Sequence, residues 1–222
     1  DSTGDWSSDV CSSDLPLASW LGTDTFQGTS LGVPWEWNHN PDTTKYAVNN
    51  GLTLSTATVT TDLFEARNTL THRVFGAVSV GTVILDTSNM ADGDVCGLAA
   101  FRDWTAYIGI SRNGSTYMIS NVQGMKQDST NNWVTLTDGT TAASEKIKKG
   151  NIWLRGTMQA AQVSSHAVSF EYSLDGTTFN PLGESYTMNT DYSYFIGYRW
   201  GIFNFAKTTL GGSVKVSSFT LA

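Results

Sequence analysis

Histidine, cysteine, basic clusters and long apolar runs are all scarce in this 222-residue chain, and each shortage closes off a class of function. The three histidines, His39, His72 and His166, lie far apart and lack the spacing of metal ligands. None sits in a Ser or Cys motif of known mechanics, and no serine-hydrolase elbow occurs, so a nucleophile–base mechanism is not indicated. Nothing in the pattern calls for a metal or any other cofactor. No stretch has the apolar length needed to cross a bilayer, and no basic start followed by an apolar run marks a secretory signal. The one lysine group, Lys146, Lys148 and Lys149, sits beside Gly150 and reads as a solvated surface turn, so nucleic acid is not an expected partner.

Of the two cysteines, Cys11 falls in an anomalous opening segment, DWSSDVCSSDL (5–15). That run has neither the period of a strand nor that of a helix. It resembles the translation of a common short-read sequencing adapter. Residues 1–15 are therefore expected to be a non-native, disordered tail, and residues 16–222 one β-sandwich domain, the C-terminal part of a longer protein. Asp1, Asp5, Asp9 and Asp14 supply four of the 20 acids and none of the 13 bases, so without the tail the formal charge falls from −7 to −3. Cys96 is then the lone thiol, no internal disulfide can form, and cysteine usage leaves the redox compartment open.

What the chain does contain is strand. Runs rich in Val, Ile, Thr, Tyr and Phe recur between Gly, Asn and Asp punctuation: 51–59, 73–87, 94–101, 105–112, 115–122, 151–159, 166–174, 194–206 and 212–222. The pairs Asn113-Gly114, Asp138-Gly139 and Asp175-Gly176 tolerate positive φ and read as hairpin turns, Asn113-Gly114 most clearly. Strands 94–101, 105–112 and 115–122 should form a meander. No segment has a sustained amphipathic helical period, although 142–149 could make one helical turn. The fold class is all-β, a two-sheet antiparallel β-sandwich.

The chemistry of individual residues is quieter. Glycoside hydrolysis needs two carboxyl groups across one sugar bond, and no strand carries a suitable acidic alternation. Glu171 and Asp175 are four apart, and Asp175-Gly176 suits a turn better than a catalytic pair. The oxygen-rich segment 86–94 fails the calcium-loop pattern, because Met90 and Ser88 stand where ligands are wanted. Trp153 and Trp200 lie inside strands and are expected in the core, while Trp104 and Trp133 lie at turns and are better placed for exposure. In WEWNHNPD (35–42), Trp35 and Trp37 should share one face of an extended segment and Glu36 and Asn38 the other, until Pro41 ends the ladder.

Five ordered blocks carry a resemblance: 35–42, 66–73 (ARNTLTHR), 82–101 (TVILDTSNMADGDVCGLAAF), 171–179 (EYSLDGTTF) and 195–212 (FIGYRWGIFNFAKTTLGG). The chain resembles the C-terminal concanavalin A-like jelly roll that follows the catalytic propeller in β-xylosidases and α-L-arabinofuranosidases of glycoside hydrolase family 43. His72 stands where a Gln is usual, and Cys96 where a small residue is more typical. The resemblance implies that the catalytic carboxylates lie in an N-terminal propeller absent from this chain. It implies that the chain alone is not an enzyme, and that the setting is extracellular or periplasmic. It also implies that Asn38, His39 and Asn40, with Tyr192 and Tyr194 of DYSYF (191–195), face that propeller near the mouth of its pocket. Two other readings stay open: an autonomous carbohydrate-binding module that takes up oligosaccharide, and a local strand end in which these residues only pack.

Overall fold

The computed structural model describes residues 19–161, 165–192 and 196–222, so the expected tail at 1–15 lies outside the described residues. In chain order the strands are β1 (Gly22–Asp24), β2 (Trp35–Trp37), β3 (Tyr46–Val48), β4 (Leu52–Ser55), β5 (Leu70–Arg73) and β6 (Val78–Asp86). Next come β7 (Asp94–Phe101), β8 (Trp104–Asn113), β9 (Thr116–Asp128), β10 (Val134–Thr137), β11 (Thr140–Ile147) and β12 (Asn151–Gln159). The last are β13 (Ala167–Ser173), β14 (Asn180–Pro181), β15 (Tyr186–Thr187), β16 (Arg199–Ala206) and β17 (Ser213–Leu221). Among the described residues the only helical element is a 3-10 turn at Leu63–Glu65.

Two antiparallel sheets result. The nine-stranded sheet runs β14-β13-β12-β6-β17-β4-β3, with β1 beside β17 and β15 beside β13. The eight-stranded sheet runs β10-β9-β8-β7-β16-β5-β2, with β11 beside β9. The meander β7-β8-β9 is as the sequence implies.

The core between the sheets follows the period of two. Val83 and Leu85 of β6, Ile152, Leu154 and Met158 of β12, and Val214 and Val216 of β17 face Cys96, Leu98, Ile108, Ile110, Trp200 and Ile202 from the other sheet. Trp200 is the largest of these, fully buried, with its indole N–H donating to Ser79 Oγ at 3.2 Å. It fits because the paired Gly81 and Gly156 leave a hole in the facing sheet. A Cβ would lie 2.8 Å from the indole at Gly81 and 2.4 Å at Gly156.

A second apolar cluster covers the outer face of the eight-stranded sheet. Leu63, Phe64 and Ala66 pack there on Val95, Ala99, Phe101, Phe203 and Phe205. β7 and β16 are consequently buried on both faces, which is why DVCGLAAF and RWGIFNFA read as nearly continuous apolar runs rather than alternating ones. Asp62 fixes the covering turn: Phe64 N–H donates to Oδ1 at 2.8 Å and Thr135 Oγ1 to Oδ2 at 2.5 Å.

Four local expectations are corrected. The β8–β9 loop is Gly114-Ser115, with Asn113 still paired to Thr116, because glycine at the first loop position supplies the positive φ (58°). Asp138-Gly139 is not a hairpin turn. It is a kink at which the strand breaks and resumes, since β10 and β11 both pair with β9. Residues 142–149 form no helical turn, because pairing of Thr140–Ile147 with β9 wins over local preference. Trp153 is half-buried on the outer face of the nine-stranded sheet, because the inward positions of β12 belong to its neighbours Ile152 and Leu154.

Candidate functional site

The segment 35–42 enters as β2, the edge strand beside β5, with Trp35, Glu36 and Trp37 opposite His72, Thr71 and Leu70. Trp35 is buried, donates its indole N–H to Asp24 Oδ2 at 2.8 Å, and packs on Phe26, His72 and Phe219. Trp37 packs at a tilt on Tyr46 with centroids 4.6 Å apart. Glu36 and Asn38 project to the opposite side, where both meet the buried guanidinium of Arg199. Asn38 Oδ1 accepts from Nη2 at 3.2 Å, Thr71 Oγ1 accepts from Nη1 at 3.0 Å, and the Glu36 carboxylate lies 3.8 Å away. Alternation across the strand thus makes one side hydrophobic anchor and the other polar.

After Trp37 the chain turns outward. Asn38 N–H still bonds Thr69 O at 3.0 Å. Asn68, itself buried, locks the corner by accepting from Asp42 N–H at 2.9 Å and donating to Asp42 O at 3.0 Å. Asp42 also accepts from the Thr44 hydroxyl and N–H, which hold its carboxyl below the usual carboxylate range. Between these fixed points Asn38 is half-buried and His39 and Asn40 are exposed. His39 Nε2 lies 2.6 Å from Phe64 O. A carbonyl can only accept, so Nε2 carries the hydrogen, and in the neutral ring Nδ1 is then the acceptor. Asn40 contributes its carbonyl to Arg67 Nε at 2.9 Å, which orients the corner without using the amide side chain.

Asn38 and His39, but not Asn40, edge a recess of about 240 Å³ whose lining also includes Phe64, Phe101, Gln127 and Trp133. Phe64 and Phe101, both nearly buried with centroids 5.8 Å apart, make the apolar part. Trp133 stands on the β9–β10 turn with φ at +59°, directly after Asn132 at +50°. Asparagine tolerates this region, but an aromatic residue there is strained, and such strain persists where the surroundings enforce it. Here Trp133 N–H bonds Asp128 O at 2.9 Å and Gln127 Nε2 donates to Trp133 O at 3.0 Å. An indole, two phenyl rings, an imidazole and two amides thus border one recess, setting apolar ring faces beside hydrogen-bonding groups.

Asn38, His39 and Trp133 were each singled out by sequence, but not as neighbours, and Phe64, Phe101 and Gln127 carried no signal. Only the sheet order, which sets β2, β5, β16, β7, β8 and β9 side by side, brings them together. Of the second expected segment, Asp191 meets the end of β7 through Arg102, the residue after Phe101. Arg102, nearly buried, donates to Asn189 O and Asp191 O at 2.6 Å each and pairs with Asp103 at 3.1 Å. Burial pushes the Asp103 carboxyl up, against the pull of Arg102. Tyr198 accepts from Asn189 N–H at 2.9 Å and donates to Trp104 O at 2.8 Å. Phe101, next to Arg102, pairs with Arg199, the residue that holds Asn38. Tyr192 is fully exposed and does not line the recess, and Tyr194 lies outside the described residues.

Other sequence candidates go elsewhere. Glu171 pairs with Arg155 at 3.7 Å, and Asp175 caps its own turn by accepting from Thr177 N–H and Thr178 N–H at 2.8 Å. In 86–94, Asp86 accepts from Ser88 N–H, Asp92 from Gly114 N–H and Asp94 from Ala91 N–H, so each acid serves a turn. Lys126 Nζ sits 3.6 Å over the ring of Trp104, which covers that indole.

Residues 23–222 match a family described as the β-xylosidase C-terminal concanavalin A-like domain. A β-xylosidase of Formosa agariphila is 24% identical over 228 residues, covering 92% of this chain and 36% of that protein. A solved family-43 glycoside hydrolase, engineered to display both endo-xylanase and exo-arabinofuranosidase activity, is 40% identical with a TM-score of 0.88, covering 92% of this chain and 40% of that one. A bifunctional family-43 protein of Bacteroides eggerthii is 26% identical with a TM-score of 0.79, covering 90% of this chain and 25% of its own. The chain therefore spans well under half the length of these relatives.

Proposed function

The chain belongs to the C-terminal concanavalin A-like domains of β-xylosidases, and on that premise we propose that it packs against the catalytic propeller of a longer parent and helps to shape that enzyme's pocket. The parent would be a β-xylosidase or α-L-arabinofuranosidase acting on xylan-type polysaccharide, as the names of its relatives suggest. The observation that carries the reading is the recess of Asn38, His39 and Trp133. It is a polar and aromatic corner in which an exposed imidazole and a half-buried indole border one recess, more than closing a strand end requires. Among the described residues the acids singled out by sequence serve turns or ion pairs, so on this reading the two carboxylates needed for hydrolysis come from the propeller. The chain alone then turns over neither aryl xylosides nor aryl arabinosides.

Mixing this chain with a separately produced propeller from a family-43 parent tests the docking. A stable complex that weakens in Trp133→Ala and His39→Ala, both still folded, supports it. Absence of any complex with matched propellers contradicts it. The same recess also suits an autonomous carbohydrate-binding module, and that second reading gains if neutral xylo-oligosaccharide binds the chain alone through Trp133.

A further inference from the structure

A larger opening lies away from that corner, where the chain leaves β11 of the eight-stranded sheet and enters β12 of the nine-stranded one. The cleft measures about 930 Å³, and its lining includes Lys146, Lys148, Lys149, Asn151, Trp153 and Leu174. The three lysines are exposed, and among the described residues none has an ion-pair partner. Neither of the nearby acids pairs with them. Glu145 accepts from Tyr172 OH at 2.6 Å. Asp175, the one acid in the lining, is bound by two backbone N–H groups and by Ser173 Oγ at 2.8 Å, which hold its carboxyl well below the usual range. Three lysines against the one ionised carboxylate of Asp175 leave this cleft a net positive island in a chain of formal charge −7.

The island is not only charge. Trp153 lines the same cleft, and its position is set by the turn that occupies Asp175. Gly176, at φ +77°, lies so close to the indole that a Cβ there would come within 2.8 Å of the ring. Leu174 is half exposed beside it. A fixed indole offers a stacking platform for the C–H face of a sugar, Asn151 offers an amide, and the lysines ask for an anion.

We propose that this cleft binds an oligosaccharide bearing uronic-acid carboxylates, with Trp153 under a sugar ring and Lys146, Lys148 and Lys149 around the carboxylate. A neutral sugar would leave three charges unused, and an acidic peptide would leave the indole unused. Nucleic acid could use both, but its affinity comes mainly from many phosphate contacts, and three lysines on an acidic protein supply few. The inference is independent of the His39 recess.

Calorimetric titration of the 222-residue chain tests it, with a xylo-oligosaccharide carrying a glucuronic-acid branch compared against the unbranched oligosaccharide and against an oligothymidylate. The acidic sugar should bind at least about tenfold more tightly than the neutral one. That advantage should vanish in Lys148→Ala/Lys149→Ala and in roughly 1 M salt, where charges are screened over a few ångströms. Trp153→Ala should weaken the binding of the acidic sugar, and His39→Ala should leave it unchanged. The lysine changes are on exposed side chains, so melting temperature verifies that the variant is folded. Equal affinity for both sugars, no binding to either at millimolar concentration, unchanged affinity in the lysine variant, or equal affinity for oligothymidylate would overturn the proposal.

Discussion

Replacing Gly156 by alanine sets two backbone-level effects against each other, and the structure decides which wins. Removing a glycine from a strand ordinarily gains about 0.5–1 kcal/mol, because the unfolded chain loses freedom. Here the new Cβ would lie 2.4 Å from Cζ3 and 2.5 Å from Cη2 of Trp200, distances no real contact reaches. The indole cannot retreat, since Gly81 receives its other end and Ser79 holds its N–H. Overpacking costs about 1–3 kcal/mol, and a contact this short against a ring that cannot move belongs in the upper half of that range, so the net change should be destabilising by about 1–2 kcal/mol. At this chain size that lowers the melting temperature by roughly 2–8 °C. Trp200→Phe removes the ring atoms that meet position 156, at its own cost of lost burial. In that background Gly156→Ala should become neutral or stabilising, which calorimetry on the four variants reads as a coupling energy. Simple additivity, or Gly156→Ala melting at the parental temperature, would refute the idea that these glycines exist to seat Trp200.

Three further outcomes follow from buried groups and one turn. Burial lowers the folded pKa of His72 below 6.5, so its contribution to stability is present above pH 6.5 and is lost as pH falls through the lower folded value; His72→Gln should flatten that part of the pH–stability curve. Cys96 is fully buried with its thiol pushed far up, so in a Cys11→Ser background it should resist iodoacetamide until denaturant opens the core, and labelling of the native protein would contradict its placement. Gly114→Ala should cost about 1 kcal/mol in urea unfolding because position 114 needs positive φ, whereas Asn113→Ala should cost less, and the reverse order would restore Asn113-Gly114 as the loop.

Most strands were legible because half-buried strands write their period into the sequence: β6, β12 and β17 alternate, and β7 and β16 read as unbroken apolar runs. The loop Leu63–Ala66 that covers β7 and β16 was not legible, since it has no period, and neither was its consequence that Phe101 becomes part of a recess floor. Trp153 shows the converse limit. Its strand was legible, but the face it occupies depends on Ile152 and Leu154 taking the inward positions. The corner at 38–40 stood out by composition, yet its partners Gln127 and Trp133 lie some ninety residues on and meet it only through sheet order. The positive φ of Trp133, the clearest mark of the recess, has no signature in residue type, because nothing about tryptophan announces a left-handed turn.

The most direct test of the central claim is the steady-state kinetics of His39→Ala and Trp133→Ala in a full-length family-43 parent carrying this domain, assayed on an aryl xyloside and an aryl arabinoside. If the recess helps to form the pocket, kcat/KM should fall about tenfold, close to 1.4 kcal/mol of lost transition-state stabilisation, with the melting temperature of the sandwich unchanged. Wild-type kcat/KM in both folded variants would show that the corner only closes a strand end.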